Sequence, residues 1–267
     1  MAAAPRPPEW GIATTREVPY RTERDMSTSP DPFASPTVEA EHGPESWAAS
    51  EGAVFQHPRG AVVVGLGVFI GVAALKILGL AYQVWAINTP DVAYETLETS
   101  DRLTQSTALL NLAVLVTTFV LWGMWAHRAA LNLRALRPDG VYEYTPGSYV
   151  WWYFVPLANL VKPFHAMREL FLGTHDAADV EVRTTQLLGV WWAGWLAGNI
   201  LRNIANRLVP NPDRVQGDGY ISQLTTASVL DIVSDLATIL AALAAIQLIR
   251  GINRLQIQAR RQKSASA

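Results

Sequence analysis

An unbroken run of 27 residues, AVVVGLGVFIGVAALKILGLAYQVWAI from Ala61 to Ile87, contains one charged side chain, Lys76. A helix needs about 20 apolar residues to cross ~30 Å of hydrocarbon, so this run predicts a spanning helix. Three more stretches have the length and apolarity to follow it, giving expected spans at about 61–87, 106–130, 184–208 and 221–250. The predicted fold class is an all-α membrane protein with four transmembrane helices, its membrane domain covering 59–255. Composition agrees: of 267 residues 50% are apolar, 16% are charged and ten are tryptophan. A net charge of -2 offers no general affinity for nucleic acid. The absence of cysteine removes disulfides, thiolate metal sites and thiol nucleophiles together.

Basic residues orient the spans, because short loops rich in Lys and Arg stay cytoplasmic. The connection 126–183 carries Arg128, Arg134, Arg137, Lys162, Arg168 and Arg183, and the C-terminal segment carries Arg250, Arg254, Arg260, Arg261 and Lys263. Both belong on the cytoplasmic side. The loop NTPDVAYETLETSDR is acidic, and VPNPDRVQGDGY has little basic charge, so both face outward. Four spans with both termini in the cytoplasm satisfy all of these loops, and the expected location is the cell membrane of a bacterium. Residues 256–267 are expected to form a basic cytoplasmic tail.

WWYFVPLANLVKP, residues 151–163, is too short to cross and is interrupted at Pro156 and Pro163. A fifth span here would also place the basic C-terminal segment outside. Residues 148–163 are therefore expected to form a re-entrant or interfacial element, with Trp151, Trp152 and Tyr153 at headgroup level. FHAMRELFLG, 164–173, reads as a short amphipathic helix with Gly173 as its stop. Residues 1–58 hold nine of the sixteen prolines and nine acidic against four basic residues. This composition predicts a disordered tail. Met26 is an alternative start to Met1.

Two motifs also carry a resemblance. WAHRAALNL, with Trp125, Arg128 and Asn132, precedes WWYFVPLANLVKP, with Trp152, Phe154, Pro156, Asn159, Lys162 and Pro163. Together they resemble the paired motifs of a bacterial membrane family, the domain of unknown function 4328. Tyr153 is one residue more than its pattern has between Trp and Phe. The resemblance implies a multi-pass fold and brings no activity. The excess of Arg over Lys and the abundant Ala suit a GC-rich genome, actinobacterial in type.

Polar residues inside the spans are the candidates for function, since a charge at the bilayer centre costs ~2.5–3.5 kcal/mol and needs a partner. Asp231 and Asp235 are four apart, on one helical face that Thr238 continues. Asn199, Arg202, Asn203 and Asn206 form a stripe on the third span. With Lys76 and Asn111 in the same outer half, the four helices can assemble one buried cluster. Glycine pairs in GVFIG (67–71) and GWLAG (194–198) predict two close helix contacts.

No phosphate loop, dinucleotide fingerprint, nucleophile elbow or His-Glu-x-x-His occurs in the chain, and QGDG (216–219) lacks the Gly-x-Gly-Asp order of intramembrane aspartyl proteases. His165 with Glu169, and His175 with Asp176, lack a third ligand. The expectation is a non-enzymatic scaffold, sensor or partner subunit without cofactor or metal. It acts through its cytoplasmic face on anionic lipid headgroups and a membrane or cytoplasmic protein. The alternative is a small-solute or proton transporter using the Lys/Arg/Asp cluster.

Overall fold

The computed structural model describes residues 59–90, 94–211 and 213–266, and they contain helices and turns but no strand. The expected disordered tail, 1–58, lies outside the described residues. The helices are α1 (Arg59–Asn88), α2 (Tyr94–Leu136), α3 (Ser148–Trp151), α4 (Lys162–Ala177), α5 (Gln186–Leu208) and α6 (Asp218–Ser266). Three of them, α1, α2 and α6, are long and apolar enough to cross a membrane. At 23 residues, or about 35 Å, α5 has the length, but asparagines and arginines at Asn199, Arg202, Asn203, Asn206 and Arg207 dilute its apolarity.

Packing follows small residues. The α5–α6 contact is tightest where Gly194 and Gly198 face α6: a Cβ on Gly194 would lie 2.9 Å from the Ala237 carbonyl oxygen, and one on Gly198 2.3 Å from Thr238 Cγ2. The Ser234 hydroxyl donates to the Gly198 carbonyl at 2.8 Å across the same contact. The second expected pair, Gly67 and Gly71, has nothing within 4 Å. Instead Gly65 meets α2, where a Cβ would come within 2.9 Å of Leu121, and the Thr118 hydroxyl donates to the Gly65 carbonyl at 3.2 Å. The glycine pattern is two residues out of phase with the packed face.

α1 packs between α2 and α6, and α6 packs against α5. The chain thus lays its four long helices in the spatial order α2, α1, α6, α5. Trp122 of α2 stacks on Trp191 of α5 with ring centroids 5.4 Å apart. Apolar burial is concentrated at the end that carries the 137–185 connection, around Trp125, Leu133, Leu170, Leu188, Ile249 and Ile252. There α6 does not end as a tail at 256. It continues through Ser266 because Gln256 and Ala259 keep one face buried, at 0% and 3% exposed.

Residues 148–163 form no continuous helix. α3 gives way to a 3-10 turn at Trp152–Phe154, and a second 3-10 turn follows at Ala158–Leu160. Between them Leu157 has φ 64°, and the Ala158 N–H donates to the Pro156 carbonyl at 2.8 Å, a tight and strained reversal. Leu157→Gly should relieve this strain and raise the Tm, because only glycine takes that backbone conformation at no steric cost. α4 does not stop at Gly173 but runs on to Ala177. Gly173 serves close approach, since a Cβ there would come within 2.8 Å of Leu133 on α2.

Candidate functional site

Helical spacing places Asp231 and Asp235 on the face of α6 that meets both α1 and α5, and two cations reach them from opposite sides. Lys76 Nζ lies 2.7 Å from Asp231 Oδ2 and 3.1 Å from Asp235 Oδ2. Arg202 donates through Nη1 to Asp231 Oδ1 at 3.0 Å and through Nη2 to Asp235 Oδ1 at 2.6 Å. The Lys76–Asp235 Oδ2 approach is a charge contact outside hydrogen-bond geometry, leaving that oxygen without a bonded donor. Two cations and two carboxylates therefore alternate in a closed ring of neutral total charge. The Asp235 side chain is 0% and that of Lys76 6% exposed, against 19% for Asp231 and 28% for Arg202.

Of the other expected members, Asn111 lines the cavity that the ring adjoins and Asn203 does not join it. Asn111 is buried, lines the adjoining cavity, and its Oδ1 has no hydrogen-bond partner. Asn199 and Asn203 each turn back along α5, donating to the carbonyls of Trp195 and Asn199. Asn199 still lines the cavity; Asn203 faces away, exposed. This back-bonding competes with any cross-helix bond, and spacing alone does not reveal it.

The cavity holds about 370 Å³ and occupies the gap between α2 and α5, with the ring of charges at its base. Leu112 and Leu115, 57% and 46% exposed, flank its side opening. At the end nearest the 137–185 connection it stops at a wall of rings. Tyr153 accepts a hydrogen bond from Trp122 Nε1 at 3.1 Å and makes edge contacts with Phe119, Trp192 and Trp195. Trp192 Nε1 donates to the Leu160 carbonyl at 3.1 Å. WWYFVPLANLVKP is thus a plug between α2 and α5. Pro156 lies in the break between its two 3-10 turns, and Pro163 sits in the first turn of α4.

Local contacts hold the plug in place. Lys162 lies 5.4 Å from the Tyr144 ring centroid and 5.8 Å from that of Trp152, and pairs with Glu143 at 3.3 Å. Glu169 accepts from the Glu143 N–H at 2.6 Å and from the Tyr149 hydroxyl at 3.0 Å. Burial, with the Glu169 carboxylate beside it, pushes the Tyr149 hydroxyl well above the usual tyrosine range, so it remains a donor. Glu169→Ala should strand these donors. Amide exchange at Glu143 should rise sharply while that of the ring residues on α6 stays slow.

The remaining motif residues build structure. Trp125 Nε1 donates to Asn253 at 3.2 Å, Asn132 donates to Gln256 at 3.3 Å, and Gln256 donates to the Ala129 carbonyl at 2.9 Å. This buried polar ladder ties α2 to α6, and its α6 half, Asn253 and Gln256, has no signal in the sequence motifs. Arg128, Phe154 and Pro156 are exposed, Asn159 is half-buried and Pro163 is buried at the start of α4. His175 accompanies an Asp176 that pairs with Arg137, and among the described residues no cluster of metal-ligating side chains occurs.

A family model described as a domain of unknown function (DUF4328) matches residues 88–254, which include α2 to α5 and most of α6. No curated protein and no solved structure matches the chain.

Proposed function

The chain belongs to the family of the domain of unknown function DUF4328, and we propose that it is a non-enzymatic, multi-pass protein of the cell membrane, a sensor or partner subunit. α1, α2, α5 and α6 cross the bilayer, both termini lie in the cytoplasm, and 148–163 enters and leaves from that side. The observation that carries the reading is the closed end of the groove. The charged ring lies at the base of a pocket whose lining ends at Tyr153 and its neighbouring rings, and we read that end as closed. A charge-neutral ring is a structural tie between α1, α5 and α6, and the pocket beside it is a place to bind.

The cytoplasmic face supplies the contacts to partners. Gly60, Arg250, Arg254 and Arg261 line a second cavity, of about 760 Å³, where α1 begins and α6 leaves the membrane. Three arginines there suit anionic headgroups, each worth ~1 kcal/mol near such a surface. Transport is the second reading, favoured by the exposure of Asp231 and Arg202 toward the cavity, 19% and 28%. Proteoliposomes with an internal pH dye separate the two. The proposal expects proton leak no faster than in empty vesicles and unchanged by Asp231→Asn; leak that the substitution abolishes would replace it with transport.

A further inference from the structure

We propose that the groove between α2 and α5 binds a neutral amphiphile with a hydroxyl headgroup, diacylglycerol being the simplest of the class. Its hydroxyl meets the polar base and its chains leave through the side opening. The inference rests on the membrane-embedded, dead-ended reading above and names what would fill the pocket.

Charge makes the first selection. Lys76, Arg202, Asp231 and Asp235 already neutralise one another, each carboxylate facing both cations. A phosphate or ammonium headgroup would add an uncompensated charge in a site of low dielectric, at a cost a neutral headgroup avoids. Hydrogen bonding makes the second. Asn111 is 7% exposed, on the cavity wall, and its Oδ1 lacks a donor. Buried acceptors of this kind are rarely left unsatisfied, and a donor is the missing group. Arg202 bonds the carboxylates through Nη1 and Nη2, and a guanidinium has further N–H groups to offer an acceptor. A hydroxyl both donates and accepts; an ester or ketone supplies no donor.

Shape makes the third selection. About 370 Å³ is within the range of small-molecule sites. Phe119, Trp122 and Trp195 form apolar walls around it, and the exposed Leu112 and Leu115 mark an opening to the side. An acyl chain matches these apolar walls along its whole length.

Tryptophan fluorescence in nanodiscs of phosphatidylcholine tests the assignment, because Trp122, Trp191 and Trp195 line the cavity. Brominated diacylglycerol, added in increasing mole fraction to the full-length protein, should quench in a saturable step above the background that brominated phosphatidylcholine gives. Asn111→Leu should weaken that step about fivefold, the equivalent of one ordinary hydrogen bond. Ala108→Phe, a change at an exposed residue on the cavity wall, should abolish it without lowering the Tm. No saturable step with diacylglycerol would overturn the proposal, and an equal step with brominated phosphatidylglycerol would overturn the neutral headgroup. Background quenching by phosphatidylcholine reports embedding by itself; its loss would remove the membrane reading instead, so the two failures are distinguishable.

Discussion

Asp235→Asn should lower the Tm of the detergent-solubilised protein by roughly 10 °C, through a loss of ~3–5 kcal/mol, the general cost of stranding the partner of a buried charge. Asp235 is 0% exposed, and its removal leaves Lys76, at 6%, with only the shared Asp231. Lys76→Met should cost a similar amount by leaving Asp235 without its cation on the α1 side. The double variant removes both members of the buried half of the ring. It should regain most of the loss, because the more exposed pair, Arg202 with Asp231, keeps its 3.0 Å bond. Equal instability of the double and single variants would remove the tie between α1 and α6. The same comparison bears on transport: a ring that serves packing alone tolerates loss of both charges with no change in any flux.

The second large effect belongs to the α5–α6 contact. Gly194→Leu should destabilise by about 3 kcal/mol, at the upper end of ordinary overpacking. The obstacle is the Ala237 carbonyl, 2.9 Å from the new Cβ, with the Ala241 Cβ at 3.2 Å. Backbone cannot move aside as a side chain can, so the helices must separate, and Arg202, two turns further along α5, would be drawn from its carboxylates. Gly67→Leu and Gly71→Leu are the controls. Each has open space within 4 Å and should be neutral, or slightly stabilising through helix propensity. Thermal melts of the three variants in one detergent decide the point, and a costly Gly67→Leu would mean that α1 packs on a different face.

Lys76, Arg202, Asp231 and Asp235 are legible as one group in the sequence, because a charge within an apolar span must find its opposite, and antiparallel neighbours with leaning side chains bring them to one depth. The glycine pairs cannot be ranked in the same way, because small residues four apart mark a face without saying what that face meets. Gly194 and Gly198 meet α6; Gly67 and Gly71 have nothing within 4 Å. The ladder of Trp125, Asn132, Asn253 and Gln256 is illegible for another reason. Its partners are separated by 124 or more residues, and polar groups in the arginine-rich end of α6 read as solvated. Asn203 illustrates the limit of periodicity: the spacing is right, but its amide is taken up by its own helix.

For WWYFVPLANLVKP the sequence excludes a continuous helix, because Pro156 and Pro163 remove backbone donors and the run is too short to cross. Its contacts are not readable there. That Tyr153 accepts from Trp122, and that Leu160 accepts from Trp192, depends on how the segment packs against α2 and α5. Trp122, Tyr153 and Trp195 also line the cavity, so the plug and the pocket share a wall.

A chain without cysteine allows the central claim, a binding pocket closed from the cytoplasm, to be tested with single thiols. Asn199→Cys places one on the cavity wall, Val141→Cys one at the fully exposed position of the 137–147 turn, and Gln216→Cys one on the loop before α6. In sealed right-side-out vesicles a membrane-impermeant thiol reagent should modify the thiol at 216 and spare the one at 141. In inverted vesicles it should modify only the thiol at 141. Modification at 199 from both faces would contradict the account, since it would mean that water passes the rings around Tyr153 and that the pocket is a passage.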